Sequence, residues 1–474
     1  MKQLHELTIK EVHKGFASKQ FTCVDLVKHF LARIERYNPK YNIFLSLNEK
    51  ALSQAEIVDK EIAEKGITRE LLGIPFAIKD NFLTLGIETT ASSNILKGYM
   101  PQYESSVTGK LLDAGAIFLG KTNMDSFAHG SSTETSDFGP TLNPWNPDHL
   151  PGGSSGGSAA AVSAQLATAA LGSETAGSIR QPAAWCGVTG FKPTYGRAGR
   201  YGCIAMASST DSPGPLAKTI ADAALITQVI SGQDPRDATT SPAPVEDYPS
   251  LINKKDLKGI KIALVKEYML SNMREDVKQL ILDSAEKLRS LGATVDEISL
   301  MDPKYAIGVY TVIQRSEVSS NLARFDGIRF GHERDLFNEE SKRRIMLGTY
   351  TLSAGYYDAF YKKALAVRTQ IIEEFNRVFS NYDAIIGAVS PGPALKVGAS
   401  KNQPMFGEME DILLEQSSIA GLTGSSVPCG FVDGLPIGLQ ITCNRMEETK
   451  ALYIADCYQQ NTNFNLFPDL DKSL

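Results

Sequence analysis

The sequence contains few residues of the types that hold metal ions or disulfide bonds. Its 474 residues include six histidines and six cysteines, with no Cys-x-x-Cys pair and no His-Glu-x-x-His motif. Metalloenzymes and zinc modules carry such sets at characteristic spacings. We therefore predict no metal site in this chain, and we expect the cysteines to be buried free thiols in a reducing, cytosolic compartment.

A surplus of positive charge is also missing. The formal net charge is −6, and the isoelectric point is near 5.7. Proteins that grip nucleic acid usually carry a basic face or stripe. If RNA takes part in the function, we expect another chain to hold it.

Long apolar runs are lacking as well. No segment approaches the ~18 consecutive apolar residues typical of a membrane span. Residues 1–10 include Glu6 and lack the apolar stretch of a secretory signal peptide. The sequence thus predicts a cytoplasmic protein that does not enter a membrane.

Short strand-like segments alternate with helix-like segments along most of the chain. This alternation predicts an α/β fold, with one large mixed β-sheet covered by helices on both faces. We predict a single domain over residues 1–474, with a helical N-terminal segment of about 1–70 and a core of about 71–474. Strands are predicted at 43–45, 74–79, 116–119, 260–265, 384–386, 426–428 and 437–442. Helices are predicted at 23–37, 107–114, 157–167, 277–291, 356–378 and 448–460.

Two clusters of serine and glycine flank an alanine-rich run. The first is Gly-Gly-Ser-Ser-Gly-Gly-Ser at 152–158, and the second is Gly-Ser-Glu-Thr-Ala-Gly-Ser-Ile-Arg at 172–180. Glycine lets main-chain N–H groups approach a reacting atom, and serine supplies a nucleophilic hydroxyl. A flexible linker is the simpler alternative, but linkers seldom continue into a helical segment and then a strand. We therefore interpret the two clusters as a catalytic site.

One segment matches the phosphate-binding pattern G-x-x-x-x-G-K-[ST]. It is Gly-Ala-Ile-Phe-Leu-Gly-Lys-Thr at 115–122. A phosphate-binding loop follows its strand, whereas here the apolar strand lies between the two glycines. We interpret Gly115 as a helix C-cap and Lys121 as a structural lysine after the strand.

Residues 152–156 also match G-x-S-x-G, the nucleophile elbow of α/β hydrolases. That elbow needs a strand directly before it, whereas a proline-rich loop precedes this segment. The only histidine after Ser154 is His332, so a Ser-His-Asp triad is disfavoured. The remaining chemistry is a serine activated by a lysine. Lys79, at the end of a predicted apolar strand, becomes a base if burial removes its proton, although pairing with Asp80 is an open alternative.

Four segments of the chain resemble the amidase signature family, and within it the A subunits of glutamyl-tRNA(Gln)/aspartyl-tRNA(Asn) amidotransferases. The resemblance extends over nearly the whole chain, and its blocks occur in the family's order. They are Gly-Ile-Pro-Phe-Ala-Ile-Lys-Asp at 73–80, Gly-Lys-Thr-Asn-Met-Asp at 120–125, Pro-Gly-Gly-Ser-Ser-Gly-Gly-Ser at 151–158 and Gly-Phe-Lys-Pro-Thr-Tyr-Gly-Arg at 190–197.

This resemblance implies a Ser–cis-Ser–Lys triad. Ser178 would be the nucleophile, Ser154 the proton relay and Lys79 the base, with a cis peptide between Gly153 and Ser154. The oxyanion would be held by main-chain N–H groups of four residues, which are Thr175, Ala176, Gly177 and Ser178.

The resemblance also implies a site for free glutamine. Arg344, in Lys-Arg-Arg-Ile at 342–345, would bind the α-carboxylate, and Asp411, in Glu-Asp-Ile-Leu at 410–413, would bind the α-ammonium. From the residues alone, a solvated helix face remains the simpler explanation of the 342–344 cluster.

The chain departs from the A-subunit pattern at a few positions. The segment from Arg329 to Lys342 is shorter than usual, just before the predicted glutamine-binding arginine. Glu174 and Ala176 replace the usual Asp and Gly, and His129 stands where Met is common. Because Ala176 keeps its N–H group, we expect the oxyanion hole to persist.

The function implied by the resemblance is release of ammonia from glutamine for the amidation of mischarged tRNA. A B subunit would bind the charged tRNA with ATP and magnesium, a small C subunit would join the two, and this chain would carry no cofactor. A stand-alone amidase acting on other primary amides is the alternative. A third possibility is a scaffold subunit without activity, which the presence of Lys79, Ser154 and Ser178 disfavours.

Overall fold

The computed structural model describes residues 2–403 and 405–473. Within them, eleven strands form one sheet in the order β1-β3-β2-β4-β6-β5-β10-β11-β9-β7-β8. The strands are β1 (Phe44–Leu47), β2 (Pro75–Lys79), β3 (Ile117–Thr122), β4 (Ala169–Glu174), β5 (Thr189–Lys192), β6 (Ser212–Ala217), β7 (Lys261–Val265), β8 (Thr294–Ile298), β9 (Ala384–Ala388), β10 (Thr423–Val432) and β11 (Leu435–Cys443).

Helices account for most of the remaining regular structure. The helices are α1 (Ile9–Ala17), α2 (Cys23–Tyr41), α3 (Ala51–Lys65), α4 (Ser106–Asp113), α5 (Gly156–Ser163), α6 (Arg180–Cys186), α7 (Ile220–Ile230), α8 (Tyr248–Ile252), α9 (Glu275–Ser290), α10 (Lys304–Asn321), α11 (Glu339–Leu352), α12 (Lys363–Phe379), α13 (Phe406–Glu410), α14 (Glu415–Ile419) and α15 (Glu448–Gln460). In the part of the chain that the structure describes, no helix is long and apolar enough to cross a lipid bilayer.

The sheet is mixed, which confirms the predicted fold class. β2 pairs in parallel with β3 and β4, and β7 pairs in parallel with β8 and β9. The strands between these two parallel groups pair antiparallel. Every residue of β2, β4, β9 and β11 is buried. Because helices and loops thus cover both faces, the interior strands are apolar runs without alternation.

The N-terminal segment is joined to this sheet. Capping boxes start its first two helices: Thr8 with Glu11 for α1, and Thr22 with Asp25 for α2. β1, which follows α2, pairs antiparallel with β3. This pairing favours a single domain, but the single-domain organisation stays a prediction.

The structure differs from the sequence-based predictions in several places. The strand predicted at 116–119 continues to Thr122, so Lys121 lies within β3 and not after it. α5 ends at Ser163, because Gln165 adopts a left-handed conformation (φ 54°) before β4 begins. The helix predicted at 356–378 begins with a π-helical segment, Tyr357–Lys362, before α12. β5, β6 and β8 were not predicted.

Gly120 is a position where the sheet tolerates no side chain. A Cβ atom there would overlap the main-chain oxygen of Ser46 in the neighbouring strand β1. Main chain held in a sheet cannot withdraw as a flexible side chain does, so we expect Gly120→Ala to destabilise the fold by about 1–3 kcal/mol. The thermal unfolding midpoint would fall accordingly.

Gly109→Ala is the matched control for this substitution. Gly109 lies inside α4, and the nearest atom to its added Cβ is 3.9 Å away. Alanine in a helix interior is about 1 kcal/mol more favourable than glycine. An unchanged midpoint in Gly120→Ala would contradict the described β1–β3 pairing.

Candidate active site

A buried lysine lies at the end of β2, an interior strand of the sheet. Lys79 Nζ is 2.8 Å from Ser154 Oγ, 2.8 Å from Ser155 Oγ, and 3.0 Å from both the carbonyl oxygen and Oγ of Ser173. An ammonium group has three protons for these four oxygens. A neutral amine has only two protons and a lone pair, and three of the four oxygens belong to hydroxyls. Once the lysine is neutral, at least one of these hydroxyls is therefore placed to donate to Nζ.

The surroundings of Lys79 favour that neutral form. Its side chain is fully buried, and burial lowers its pKa to about 7, although the buried carboxyls of Asp125, Asp211 and Glu174 oppose the shift. A pKa near neutrality suits a general base.

Pairing with Asp80, the alternative explanation of Lys79, is not found among the residues described. Asp80 is instead 3.3 Å from Lys121 and accepts a hydrogen bond from the main-chain N–H of Thr90. Lys121 also donates to the Phe82 carbonyl oxygen at 2.8 Å and to Thr89 Oγ1 at 2.7 Å. Lys121 is thus a structural lysine, and the match to a phosphate-binding loop has no structural basis.

Ser154 lies in the loop before α5, and its peptide bond with Gly153 is cis, as predicted. A Cβ atom on Gly153 would overlap the carboxylate of Asp125, which packs against this peptide. Asp125 is held in turn by the N–H of Ser132 at 3.1 Å and by Thr135 Oγ1 at 3.0 Å. The Gly153 N–H donates to Gln181 Oε1 at 2.9 Å. The loop is therefore fixed on both sides.

Residues 175–178 connect β4 to α6 in a short loop. The Glu174 carboxylate accepts the N–H groups of Ile179 at 3.1 Å and Arg180 at 3.0 Å, and it pairs with the Arg180 side chain at 2.6 Å. This contact draws the two ends of the loop together. Thr175 Oγ1 donates to Asp211 at 2.7 Å. Within the described part of the chain, the N–H groups of 175–178 have no acceptor, so they are available for an oxyanion.

The predicted nucleophile faces a small cavity, here called the inner cavity, beside this loop. Ser178 lines the cavity, and its carbonyl oxygen accepts a hydrogen bond from the Ser155 N–H at 3.1 Å. The structure thus places Lys79 in direct contact with Ser154, and the residue after Ser154, Ser155, is hydrogen-bonded to the main chain of Ser178.

The predicted glutamine-binding residues line the same cavity as Ser178. Asp411 Oδ2 accepts from Ser131 Oγ at 2.8 Å, and its buried Oδ1 has no partner among the described residues. Burial raises the pKa of Asp411 well above its usual value. A cationic partner would therefore favour its ionised form.

Arg344 is buried, unlike its neighbours in the Lys-Arg-Arg cluster. Only 4% of its side chain is exposed, against 53% for Arg343 and 38% for Lys342. The interpretation of 342–344 as a solvated helix face is thus wrong for Arg344. Burial disfavours the charged guanidinium, yet the carboxylates of Glu340 and Glu408 raise the pKa of Arg344 overall.

An outer cavity of about 320 Å³ lies next to the inner one. Both are lined by Gly130, Arg344, Gly407 and Glu408. His129 lines the outer cavity and hydrogen-bonds Ser341 at 3.2 Å. The shortened segment before α11 packs its Phe337 against Phe127.

Several site residues were not identified from the sequence. Ser155 and Ser173 lie inside the Ser/Gly clusters at 152–158 and 172–180, and this position could have indicated them as site residues. Glu408 comes from a short helix far along the chain, and it contacts Arg315 at 2.8 Å. No pattern around it indicates a site.

The family model described as Amidase matches residues 25–452. The chain belongs to the amidase signature family. As a member of that family, it is an amidohydrolase with an α/β fold.

Relatives match the chain over nearly its full length. The A subunit of glutamyl-tRNA(Gln) amidotransferase from Carboxydothermus hydrogenoformans is 47% identical, over 98% of this chain and 99% of the relative. The crystal structure of the protein of the same name from Thermotoga maritima is 40% identical, with a TM-score of 0.84, covering 99% of this chain and 98% of that one. A peptide amidase from Stenotrophomonas maltophilia is 29% identical, with a TM-score of 0.86, over 98% and 99% of the two chains.

The pKa of Lys79 predicts how the activity of this amidase depends on pH. Because only the neutral amine of a lysine can accept a proton, kcat/KM should rise as the pH increases through about 7 and then level off if Lys79 is the base. Lys79→Arg should be inactive at every pH, since a guanidinium stays protonated. The measurement is kcat/KM for an amide substrate between about pH 5 and 9. Activity that falls across that range would exclude Lys79 as the base.

Proposed function

We propose that the chain is the glutaminase subunit of a tRNA-dependent amidotransferase. The observation that carries the proposal is the inner cavity, where Ser178 meets a buried guanidinium, Arg344, and a buried carboxyl with a free oxygen, Asp411. Free glutamine has an α-carboxylate and an α-ammonium, which these two side chains complement. The names of the full-length relatives agree with this assignment.

In the proposed mechanism, neutral Lys79 takes a proton from Ser154, which takes one from Ser178. Ser178 Oγ then attacks the side-chain amide carbon of glutamine. The N–H groups of 175–178 stabilise the oxyanion. The proton returns through Ser154 to the leaving nitrogen, so ammonia departs and a glutamyl ester remains on Ser178. Water hydrolyses the ester to glutamate by the same proton route.

The proposal includes partners that use the ammonia. A B subunit would bind charged tRNA, ATP and magnesium, phosphorylate the side-chain carboxylate of the mischarged residue, and receive the ammonia. A small C subunit would join the two chains. The product would be Gln-tRNA(Gln), Asn-tRNA(Asn) or both, made in the cytoplasm. The net charge of −6 agrees with this division of labour, because this chain need not bind tRNA itself.

Ser178→Ala removes the proposed nucleophile. We expect glutaminase turnover of the assembled complex to fall by about 10⁴-fold or more. The assay is ammonia release from glutamine, with Ser290→Ala, an exposed serine on α9, as the control. Full activity in Ser178→Ala would exclude the mechanism. A covalent adduct of an acylating amide reagent on Ser178 of the unmodified chain would exclude the inactive-scaffold alternative.

Arg344→Ala and Asp411→Ala test the choice of substrate. Each substitution leaves one charged end of glutamine unpaired, which costs about 2–5 kcal/mol. The glutamine KM should therefore rise steeply, while kcat/KM for a neutral aliphatic primary amide should change little. The experiment compares glutamine, asparagine and the neutral amide in both variants and in the unmodified chain.

Arg343→Ala is the matched control, because Arg343 is adjacent to Arg344 but mostly exposed. We expect its glutamine KM to stay near that of the unmodified chain. If the unmodified chain prefers the neutral amide, or if neither cavity substitution changes the glutamine KM, a stand-alone amidase becomes the better explanation. Purification from the native cell without a partner would support the same conclusion.

A further inference from the structure

The guanidinium of Arg344 is held at one end by a carboxylate of its own helix. Glu340 precedes Arg344 by one turn of α11, and its Oε1 accepts a hydrogen bond from Arg344 Nε at 2.7 Å. The second Glu340 oxygen accepts from Arg343. Within the described residues, Glu340 provides the hydrogen-bond acceptor for Arg344, whereas Glu408 lies 3.8 Å from Nη2.

Arg344 is shared by the two cavities, whereas Glu340 is not. Glu340 lines the outer cavity and is absent from the inner one, while Arg344 lines both. The Nε atom and the Nη1–Nη2 edge lie on opposite sides of the planar group. A contact at Nε therefore leaves the Nη1–Nη2 edge for another ligand, and Arg344 lines the inner cavity together with Ser178 and Asp411.

We propose that Glu340 is a positioning residue that orients Arg344 so that its Nη1–Nη2 edge receives the α-carboxylate of the substrate. The inference rests on the proposed function, because it assumes that glutamine binds in the inner cavity. An arginine side chain has many rotamers, and fixing one of them in advance lowers the cost of binding. Without the contact at Nε, the guanidinium is free to turn toward Glu408.

The contact has a second, opposing electrostatic consequence. The negative charge of Glu340 lies on the same guanidinium that is to receive a carboxylate, and like charges repel. If repulsion dominated, Glu340 would weaken glutamine binding. Substitution of Glu340 separates two properties of its carboxylate: the position of the oxygen that contacts Arg344 Nε, and the negative charge. Glutamine keeps the oxygen and loses the charge, whereas aspartate keeps the charge and withdraws the oxygen by one methylene.

The experiment measures KM and kcat for glutamine and for a neutral aliphatic primary amide, with the chain purified together with its copurifying subunits. We expect Glu340→Gln to keep the glutamine KM within about threefold of the unmodified protein. Glu340→Asp should raise it by about tenfold or more, with kcat nearly unchanged. Neither substitution should change the KM of the neutral amide, which has no carboxylate. Glu340→Ala should behave as Glu340→Asp does, and it replaces that variant if aspartate prevents folding.

Glu339→Gln and Glu339→Asp are the matched controls. Glu339 is on the same helix, is 86% exposed and pairs with Lys342. Both controls should leave the glutamine KM unchanged.

The inference is overturned if Glu340→Asp leaves the glutamine KM unchanged, if Glu340→Gln raises it as much as Glu340→Asp, or if Glu340→Gln lowers it more than about threefold. A parallel rise in the KM of the neutral amide would also overturn it, because it would indicate general damage to the pocket. Absence of glutamine hydrolysis by the unmodified protein is a different result. It would refute the proposed function itself.

Discussion

The burial of one amine, Lys79 Nζ, determines the arrangement of the site. Its hydrogen bonds join the end of β2 to the loop at 153–155 and to Ser173 near the end of β4. A buried charge without partners is strongly unfavourable, so these segments are stable together only while they surround the amine with oxygen atoms. The same burial lowers the pKa of Lys79 to about 7. The contacts that organise this part of the fold thus also prepare the base.

A buried ion pair shapes the neighbouring loop. Glu174 and Arg180 lie at the two ends of the segment that contains Ser178, and their pairing brings these ends close. The Arg180 guanidinium also reaches Ser417 Oγ at 3.0 Å, so the loop is tied to α14. Since the Glu174 carboxylate accepts the N–H groups of Ile179 and Arg180, the N–H groups of 175–178 are left without acceptors among the described residues. The replacement of the family's usual aspartate by glutamate at this position is therefore compatible with the loop that the site needs.

The sequence predicted the fold class, because short apolar strands separated by helical segments leave clear local patterns. It did not predict β6, whose sequence Ser-Pro-Gly-Pro-Leu-Ala has little strand propensity and is held between β4 and β5 by tertiary pairing. The exposed edge strand β8 was missed because most of its side chains face solvent. Without the family resemblance, Arg344 and Arg343 could not be distinguished, because adjacent positions on a helix point in different directions, and only packing decides which one is buried. The contact of Glu408 with Arg344 and Arg315 depends on three helices meeting, so no local pattern indicates it.

The two halves of the candidate site come from different parts of the architecture. Lys79, Ser154 and Ser178 belong to β2 and to the loops before α5 and after β4, whereas Arg344 lies on α11 and Asp411 directly follows α13. Under the proposed function, amide cleavage and recognition of the rest of the substrate would therefore be encoded by separate segments of the chain. Such a division lets substrate range evolve through the helical segments while the bond-breaking apparatus is retained. The similarity in fold to a peptide amidase at 29% identity is what this kind of evolution would produce.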